Sequence, residues 1–344
     1  MKELAIVILN WNGKDFLVQF LPSLLQHSAG YTIIVADNDS TDDSISFLAE
    51  NYPTVQLIKN KENGGFARGY NEALVSIKGT YSYYMLINSD VEVTTDWINP
   101  LLNTIKKEDL FAVQPKIRSF HSRGQFEYAG AAGGFLDINY YPFCRGRLFS
   151  ELEDDHGQYD NTREVFWASG ACFMVNADQF HQLGGFDADF FAHMEEIDLC
   201  WRAKLRGFRI KICPYSTVYH VGGGTLNYGT PTKTYLNFRN SLFMIYKNHH
   251  GNVGLKITWR MVLDGIAGLQ FLTQLKGRHC WAIIRAHIAF YRNLSTLNKK
   301  RAAIQANKQK PNMNGWYKGS ILFSYFVKGV KSYRQLNKRL FIRD

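Results

Sequence analysis

No two of the five cysteines, Cys144, Cys172, Cys200, Cys213 and Cys280, stand in CxxC spacing. A zinc ribbon or a thioredoxin-like site is therefore not expected. An odd, scattered set does not make a secreted disulfide scaffold either, and it fits buried thiols in a reducing compartment. The apolar run at the start, Leu4 to Leu9, is too short for a signal peptide. No stretch is long and apolar enough for a transmembrane helix. There is no GxGxxG after that first run and no GxxxxGK[ST] anywhere, which excludes the dinucleotide fingerprint and the P-loop. Acidic residues are almost missing from the last third. Residues 231–344 hold 21 Lys+Arg and 2 Asp+Glu, a charge of +19, while residues 1–230 carry −9.

What remains is a 344-residue chain with 46% hydrophobic and 20% charged residues, enough to bury a large core. Leu4–Leu9 is a continuous apolar run, the mark of a strand covered on both faces. Phe16, Leu17, Phe20, Leu21, Leu24 and Leu25 then recur at helical spacing. Further strands are expected at Tyr31–Ala36, Val55–Ile58 and Tyr83–Ile87, with a helix from about Ala67 to Ile77. Strands alternating with helices over short links predict an α/β fold with an open, mostly parallel sheet.

Polar clusters follow the C-terminal end of each predicted strand: Asn10–Asn12, Asp37–Asp39, Asn63–Gly65 and Asn88–Asp90. Open α/β sheets bind ligands beyond those ends, so four clusters in register point to a nucleotide-type ligand. Asp90 suits Mg2+ or Mn2+, hard cations that share their shell with diphosphate oxygens. Further on, Glu195 and Glu196 open a helical pattern, where the helix dipole favours negative charge and would equally suit two solvated glutamates. Asp198 and Arg202 are spaced as an i,i+4 pair. His220, before a run of three glycines, is a candidate metal ligand.

Seven segments together resemble a family 2 glycosyltransferase of the GT-A type, nearest its bacterial rhamnosyltransferase-like branch. They are Val7–Gly13, Val35–Asp42, Asn63–Asn71, Leu86–Val91, Gly184–Asp187, Glu195–Arg202 and His220–Thr225, in the family's order. The resemblance implies a GT-A nucleotide-diphospho-sugar-binding sheet flanked by helices, and inverting transfer from a nucleoside-diphosphate sugar. It implies nucleotide-sugar contacts from Asn10, Asn12, Asp37, Asn38, Asn63, Gly65, Arg68, Asn71 and Asn88. Asp90, the last residue of an altered DxD motif, and His220 would hold the metal. Glu196 stands where the family has its catalytic base, with Glu195 as the alternate. The expected activity is transfer to a hydroxyl of a lipid- or polymer-linked glycan in cell-surface polysaccharide synthesis, with dTDP-rhamnose a candidate donor.

The expected division is a catalytic domain over 1–240 and a basic helical extension over 241–344. Within the extension, 257–275 and 281–291 read as helices, 298–314 as an exposed linker, and 317–343 as a basic aromatic segment. Exposed Phe323, Tyr325 and Phe326 would suit an anionic membrane surface. The expected location is the cytoplasm, peripheral on the cytoplasmic face of the inner membrane. Two other classes are a non-catalytic sugar-nucleotide-binding scaffold and a basic nucleic-acid-binding protein. No nucleic-acid-binding motif is present and an acidic crevice repels phosphate, so no nucleic acid is expected as partner.

Overall fold

The computed structural model describes residues 1–222 and 229–342. The first half alternates as expected: β1 (Lys2–Asn10), α1 (Lys14–His27), β2 (Thr32–Asp37), α2 (Ser44–Asn51), β3 (Gln56–Lys59), α3 (Gly65–Ser76) and β4 (Tyr81–Asn88). Then come β5 (Val91–Val93), α4 (Asn99–Glu108) and β6 (Ala112–Ser119). Four short strands follow: β7 (Gly134–Asp137), β8 (Pro142–Cys144), β9 (Arg147–Leu148) and β10 (Glu151–Leu152). The middle closes with β11 (Arg163–Glu164), β12 (Cys172–Asn176), α5 (Ala177–Gln182), α6 (Glu195–Leu205) and β13 (Ile210–His220). The remainder is α7 (Pro231–Asn248), α8 (Val253–Thr273), α9 (Gly277–Arg292), α10 (Leu294–Ala306) and β14 (Trp316–Tyr317).

The main sheet runs β11-β13-β6-β12-β4-β1-β2-β3, with β5 paired to β13. β3, β2, β1 and β4 are parallel neighbours, while β12 is antiparallel to both β4 and β6. Side chains alternate across a strand, and the sheet divides its core accordingly. Ala5, Val7, Ile34, Ala36 and Leu86 pack on the face covered by α3, α6 and α7. Leu4, Ile6, Ile8, Ile33, Val35 and Ile87 pack on the face covered by α1, α2 and α4. This double coverage is why β1 reads as an unbroken apolar run.

The C-terminal third departs from its expected form in three places. Residue 240 falls inside α7, so the helix that opens the basic part belongs to both halves. The expected linker over 298–314 is helix as far as Ala306, because Leu297 is buried against the core and Arg301 donates to the Tyr246 and His249 carbonyls on and just past α7. Tyr325 is buried, with its hydroxyl donated to Glu151, whereas Phe323 and Phe326 are exposed. The last segment folds back as well. β14 adds to the small sheet beside β7, and Ile321, Tyr333, Leu336 and Phe341 enter the main core.

A buried ionic cluster ties this basic part to the acidic part. Lys247 of α7, 1% exposed at its side chain, contacts Asp187 and lies 3.0 Å from Asp198 of α6. Arg202 donates to Asp198 at 2.8 Å and to the carbonyls of Leu183 and Gly185. Asn248 also donates to Asp198, and Lys300 of α10 pairs with Asp187 and Asp189. Burial opposes charge on Asp187, but Lys247 and Lys300 hold its carboxyl well below the usual carboxylate range.

Removing one member of such a cluster strands its partners. Lys247→Ala is expected to cost roughly 3–5 kcal/mol, read as a lower urea midpoint. A lowered Asp187 contributes stability above its unfolded value of about 4 and loses it as pH falls further. The wild type should therefore lose stability below about pH 4, and Asp187→Asn should lose less over that interval. An unchanged midpoint in Lys247→Ala would mean the cluster is incidental.

Candidate active site at the strand ends

The registers of β1, β2 and β4 align the polar clusters. Asn10 stands beside Asp37 and Leu9 beside Asn88, so Asn10, Asp37 and Asn88 share one edge of the sheet. Asn10 is fully buried and donates to Asp37 Oδ1 at 3.1 Å and to Ser40 Oγ at 3.2 Å. Its own Oδ1 is buried without a partner. Asp37 Oδ2 accepts from the Ser40 amide, and Asn12 Oδ1 accepts from Thr41, so β1 and the β2 turn are bound side chain to backbone.

Several expected contact residues hold the loops in place. Asn38 donates to Asn63 Oδ1 and the Gly65 carbonyl, and accepts from Asn60. Asn63 Oδ1 also accepts from the Gly65 amide. Asn71 exchanges two bonds with the Phe186 backbone, both through its amide. Arg68 is paired with Glu62 and Glu72 at the surface. Gly65, at φ +72°, lies where a Cβ would sit 2.4 Å from the Phe191 carbonyl oxygen. Only glycine allows that approach, and the amide of Phe66 uses it to donate to the same carbonyl at 2.7 Å.

Asp90 and His220 meet although 130 residues separate them, because β5 pairs with the end of β13 and Val91 faces His220. His220 Nε2 lies 3.1 Å from Asp90 Oδ1. On its other side Nδ1 faces Glu127 Oε2 at 3.4 Å, without completing a hydrogen bond. All three are buried. Burial works against a charged imidazole, yet the two carboxylates push His220 up to about 10. Asp90 is lowered: burial opposes, and His220 and backbone amides prevail. The Asp90 carboxylate suits Mn2+ or Mg2+, and a neutral imidazole suits Mn2+, whose binding would displace the proton that His220 otherwise holds. A carboxylate behind the far ring nitrogen is the usual orienting partner of a metal-bound histidine. The residues fit a divalent cation. Among the described residues no three His, Cys, Asp or Glu side chains form a complete metal shell. The glycines that follow Gly222 in the expected His220 motif lie outside the described residues.

Glu195 and Glu196 begin α6, but not as a solvated pair. Glu195 is buried, with Oε2 lacking any partner. Burial and the charge of Glu196 push its carboxyl well above the usual range. Burial raises Glu196 to about 7, although its side chain is the less enclosed of the two. The loop before them is strained: Phe191, His193 and Met194 all have positive φ, at 63°, 71° and 72°. Such strain persists only where surroundings over-determine it. Here Asn240 of α7, fully buried, directs its amide nitrogen at the carbonyls of Phe190, Ala192 and His193. Glu196 also adjoins Gly170, whose added Cβ would lie 3.8 Å from the Glu196 Cβ. Next to Gly170, the Ala171 carbonyl accepts from the Asn88 amide. The backbone thus links the Glu196 end of the crevice to the Asn88–Asp90 end.

The Glycosyl transferase family 2 pattern matches residues 5–181, just over half of the chain. The chain belongs to that family. This family 2 glycosyltransferase is 25% identical over 239 residues to the N-acetylglucosaminyl-diphospho-decaprenol L-rhamnosyltransferase of Mycobacterium tuberculosis, covering 63% of this chain and 75% of the relative. Its fold is similar to that of GalNAc-T7, solved with UDP, GalNAc and Mn2+, with a TM-score of 0.56, 16% identity and 71% of this chain covered. The chain spans only about half of that protein, 48%. It is also similar to the mannosyltransferase PcManGT of Pyrobaculum calidifontis, solved with GDP-Man and Mn2+, with a TM-score of 0.51, 14% identity and 89% and 85% of the two chains covered. The sheet is of the GT-A type.

Two residues of this glycosyltransferase's site carry no sequence expectation. Glu127 sits in a segment with no motif. Asn240 lies in Tyr235–Ser241, a stretch whose helical pattern shows no role for any one amide. Asn240 fixes the loop that leads into Glu195 and Glu196. Asn240→Ala should lower kcat at least about tenfold with little change in KM for the donor, and an equal rise in KM with kcat intact would refute the assignment. Glu196 also has a thermodynamic signature. A carboxyl raised to about 7 contributes stability below its unfolded value near 4.3 and loses it as pH rises through 7. Glu196→Gln should therefore melt higher than wild type at pH 8, with the advantage gone at pH 4; no difference at pH 8 counts against the raised carboxyl.

Proposed function

We propose that the chain is an inverting glycosyltransferase that moves a sugar from a nucleoside-diphosphate sugar to a hydroxyl of a lipid- or polymer-linked glycan in cell-surface polysaccharide synthesis. dTDP-rhamnose is the donor we favour, supported by the similarity to an L-rhamnosyltransferase. The observation that carries the reading is the meeting of Asp90, His220 and Glu127 beside Asn88, at the strand ends that also carry Asn10 and Asp37. Burial raises the Glu196 carboxyl to about 7, which suits a proton acceptor near neutral pH.

In the proposed mechanism, Asn10, Asn12, Asp37, Asn63, Gly65 and Asn88 shape the nucleotide side of the crevice. Asn38, Asn71 and Arg68 act mainly by fixing its loops. Asp90 and His220 would hold a divalent cation, which when bound neutralises the charge that develops on the departing diphosphate. Glu196 accepts the proton of the acceptor hydroxyl as its oxygen attacks the anomeric carbon. Burial and the charge of Glu196 push the Glu195 carboxyl well above the usual range, which favours its neutral form beside the base. The strained loop and Asn240 keep the base aimed. No residue needs to form a covalent sugar intermediate, so the anomeric configuration inverts.

The test is a transfer assay against dTDP-rhamnose and other sugar nucleotides with Mn2+ or Mg2+. The kcat should climb with pH along a limb near 7, and Glu196→Gln should lower it by roughly 10²-fold or more and abolish the limb. Asp90→Asn should remove the cation-dependent rise in melting temperature given by a nucleoside diphosphate. Full turnover in Glu196→Gln, with the limb intact, would overturn the assignment of the base.

A further inference from the structure

α8 is built inside out. A surface helix ordinarily turns its apolar stripe to the core and its charges to water. Here the charges are inside: Arg260 and Asp264 are buried and paired at 2.8 Å, with His287 of α9 3.3 Å from the same carboxylate. Outside are Leu255, Trp259, Val262, Ile266 and Leu269, between 49% and 70% exposed. At 100° per residue these five lie within a sector of about 80° and span about 21 Å of helix. They form a face, not scattered apolar residues. α9 adds Trp281, Ile284, Ile288 and Tyr291, all exposed at helical spacing.

Charge surrounds this face with one sign. Lys276, Arg278, Arg285 and Arg292 are exposed at the hairpin tip and along α9. Asp264, the one acid on either helix, is buried. The neighbouring turn extends the surface. Trp259 donates to Asn139, Asn139 donates to Ser320, and the Phe323 amide donates to Ser320. Phe323 and Phe326 on that turn are exposed, and the acid beside them, Glu151, is bonded to Tyr325 and Lys331.

We propose that the outer face of α8 and α9 lies flat on an anionic bilayer, with its apolar residues among the acyl chains and its arginines and lysines at the phosphates. Among the described residues no helix is long and apolar enough to cross a membrane, and an apolar face with aromatic and cationic edges is the form that lies in the interface plane. Anionic lipid is the matching partner because the rim is cationic and exposes no acid of its own. The face is also placed for chemistry. His279, beside the hairpin tip, bonds Thr234 of α7 at 2.8 Å, and the adjacent Lys233 is within electrostatic reach of Glu127 and His193. The tip thus adjoins the mouth of the crevice. This surface deepens the reading of a lipid-linked acceptor, whose glycan would be presented at that mouth.

Flotation with vesicles tests it without turnover. Wild type should float with phosphatidylglycerol-containing vesicles at low salt, and less so at high salt or with phosphatidylcholine alone. Ile266→Glu with Leu269→Glu, at exposed positions, should reduce the bound fraction about tenfold or more while a nucleoside diphosphate with Mn2+ still raises the melting temperature. Lys276→Glu with Arg278→Glu should weaken binding to anionic vesicles chiefly, and both acids suit the start of α9. The proposal is overturned if wild type stays at the bottom, or if the Ile266/Leu269 variant floats as well as wild type. It is also overturned if light scattering shows a wild-type dimer that the variant reduces to a monomer, since the face would then join two copies. Flotation without nucleotide binding would sink the enzyme reading and leave the membrane face standing.

Discussion

Lys247 is the residue on which the two oppositely charged parts of the chain depend. Its ammonium is buried between Asp187, in the turn before the strained loop, and Asp198, on the helix that carries Glu195 and Glu196. Burying one such charge is unfavourable by several kcal/mol, and attraction offsets that only with good geometry and full hydrogen bonding. Arg202, Asn248 and Lys300 supply the remaining partners. The cluster therefore sets the position of α7 against α6. Everything α7 does for the site follows from that position, including the approach of Asn240 to the strained carbonyls. The basic third is packed into the fold through this cluster rather than appended to it.

The second constraint is steric. Gly65 has no side chain, so the Phe191 carbonyl can reach the start of α3. One glycine thereby joins the start of α3 to the loop that leads into Glu195 and Glu196. Gly170 lies against the Phe66 ring, 3.2 Å from where a Cβ would stand. A site with a cation-binding end and a proton-accepting end needs both at fixed separation. Here short backbone links fix that separation, through Asn88 to Ala171 and through Phe66 to Phe191.

Much of this was legible in the residue order. The continuous apolar runs of β1, β2 and β4 and the polar residues that end them placed the crevice. The Glu195–Glu196 pair and the spacing of Asp198 and Arg202 marked α6. Three features were hidden for physical reasons. Glu127 acts from a loop, and only the pairing of β13 with β5 and β6 brings His220 to it. Residues 298–314 are polar enough to resemble a linker, yet Leu297 and Arg301 dock α10 on the core and α7. In 317–343 the sequence groups Phe323, Tyr325 and Phe326 as exposed aromatics, whereas tertiary packing buries Tyr325 and leaves Phe323 and Phe326 outside. Periodicity reveals that α8 has an apolar face; it cannot reveal that the buried side is the charged one.

The central claim is that burial, not a neighbouring base or a bound group, gives Glu196 a carboxyl poised at neutral pH. The most direct measurement is an NMR titration of the folded protein labelled at its glutamate carboxyl carbons, with the Glu196 signal identified by its loss in Glu196→Gln. The account predicts a midpoint near 7 for that signal and a Glu195 signal that also titrates above the ordinary glutamate range. A Glu196 midpoint near the ordinary glutamate value of about 4.3 would contradict it.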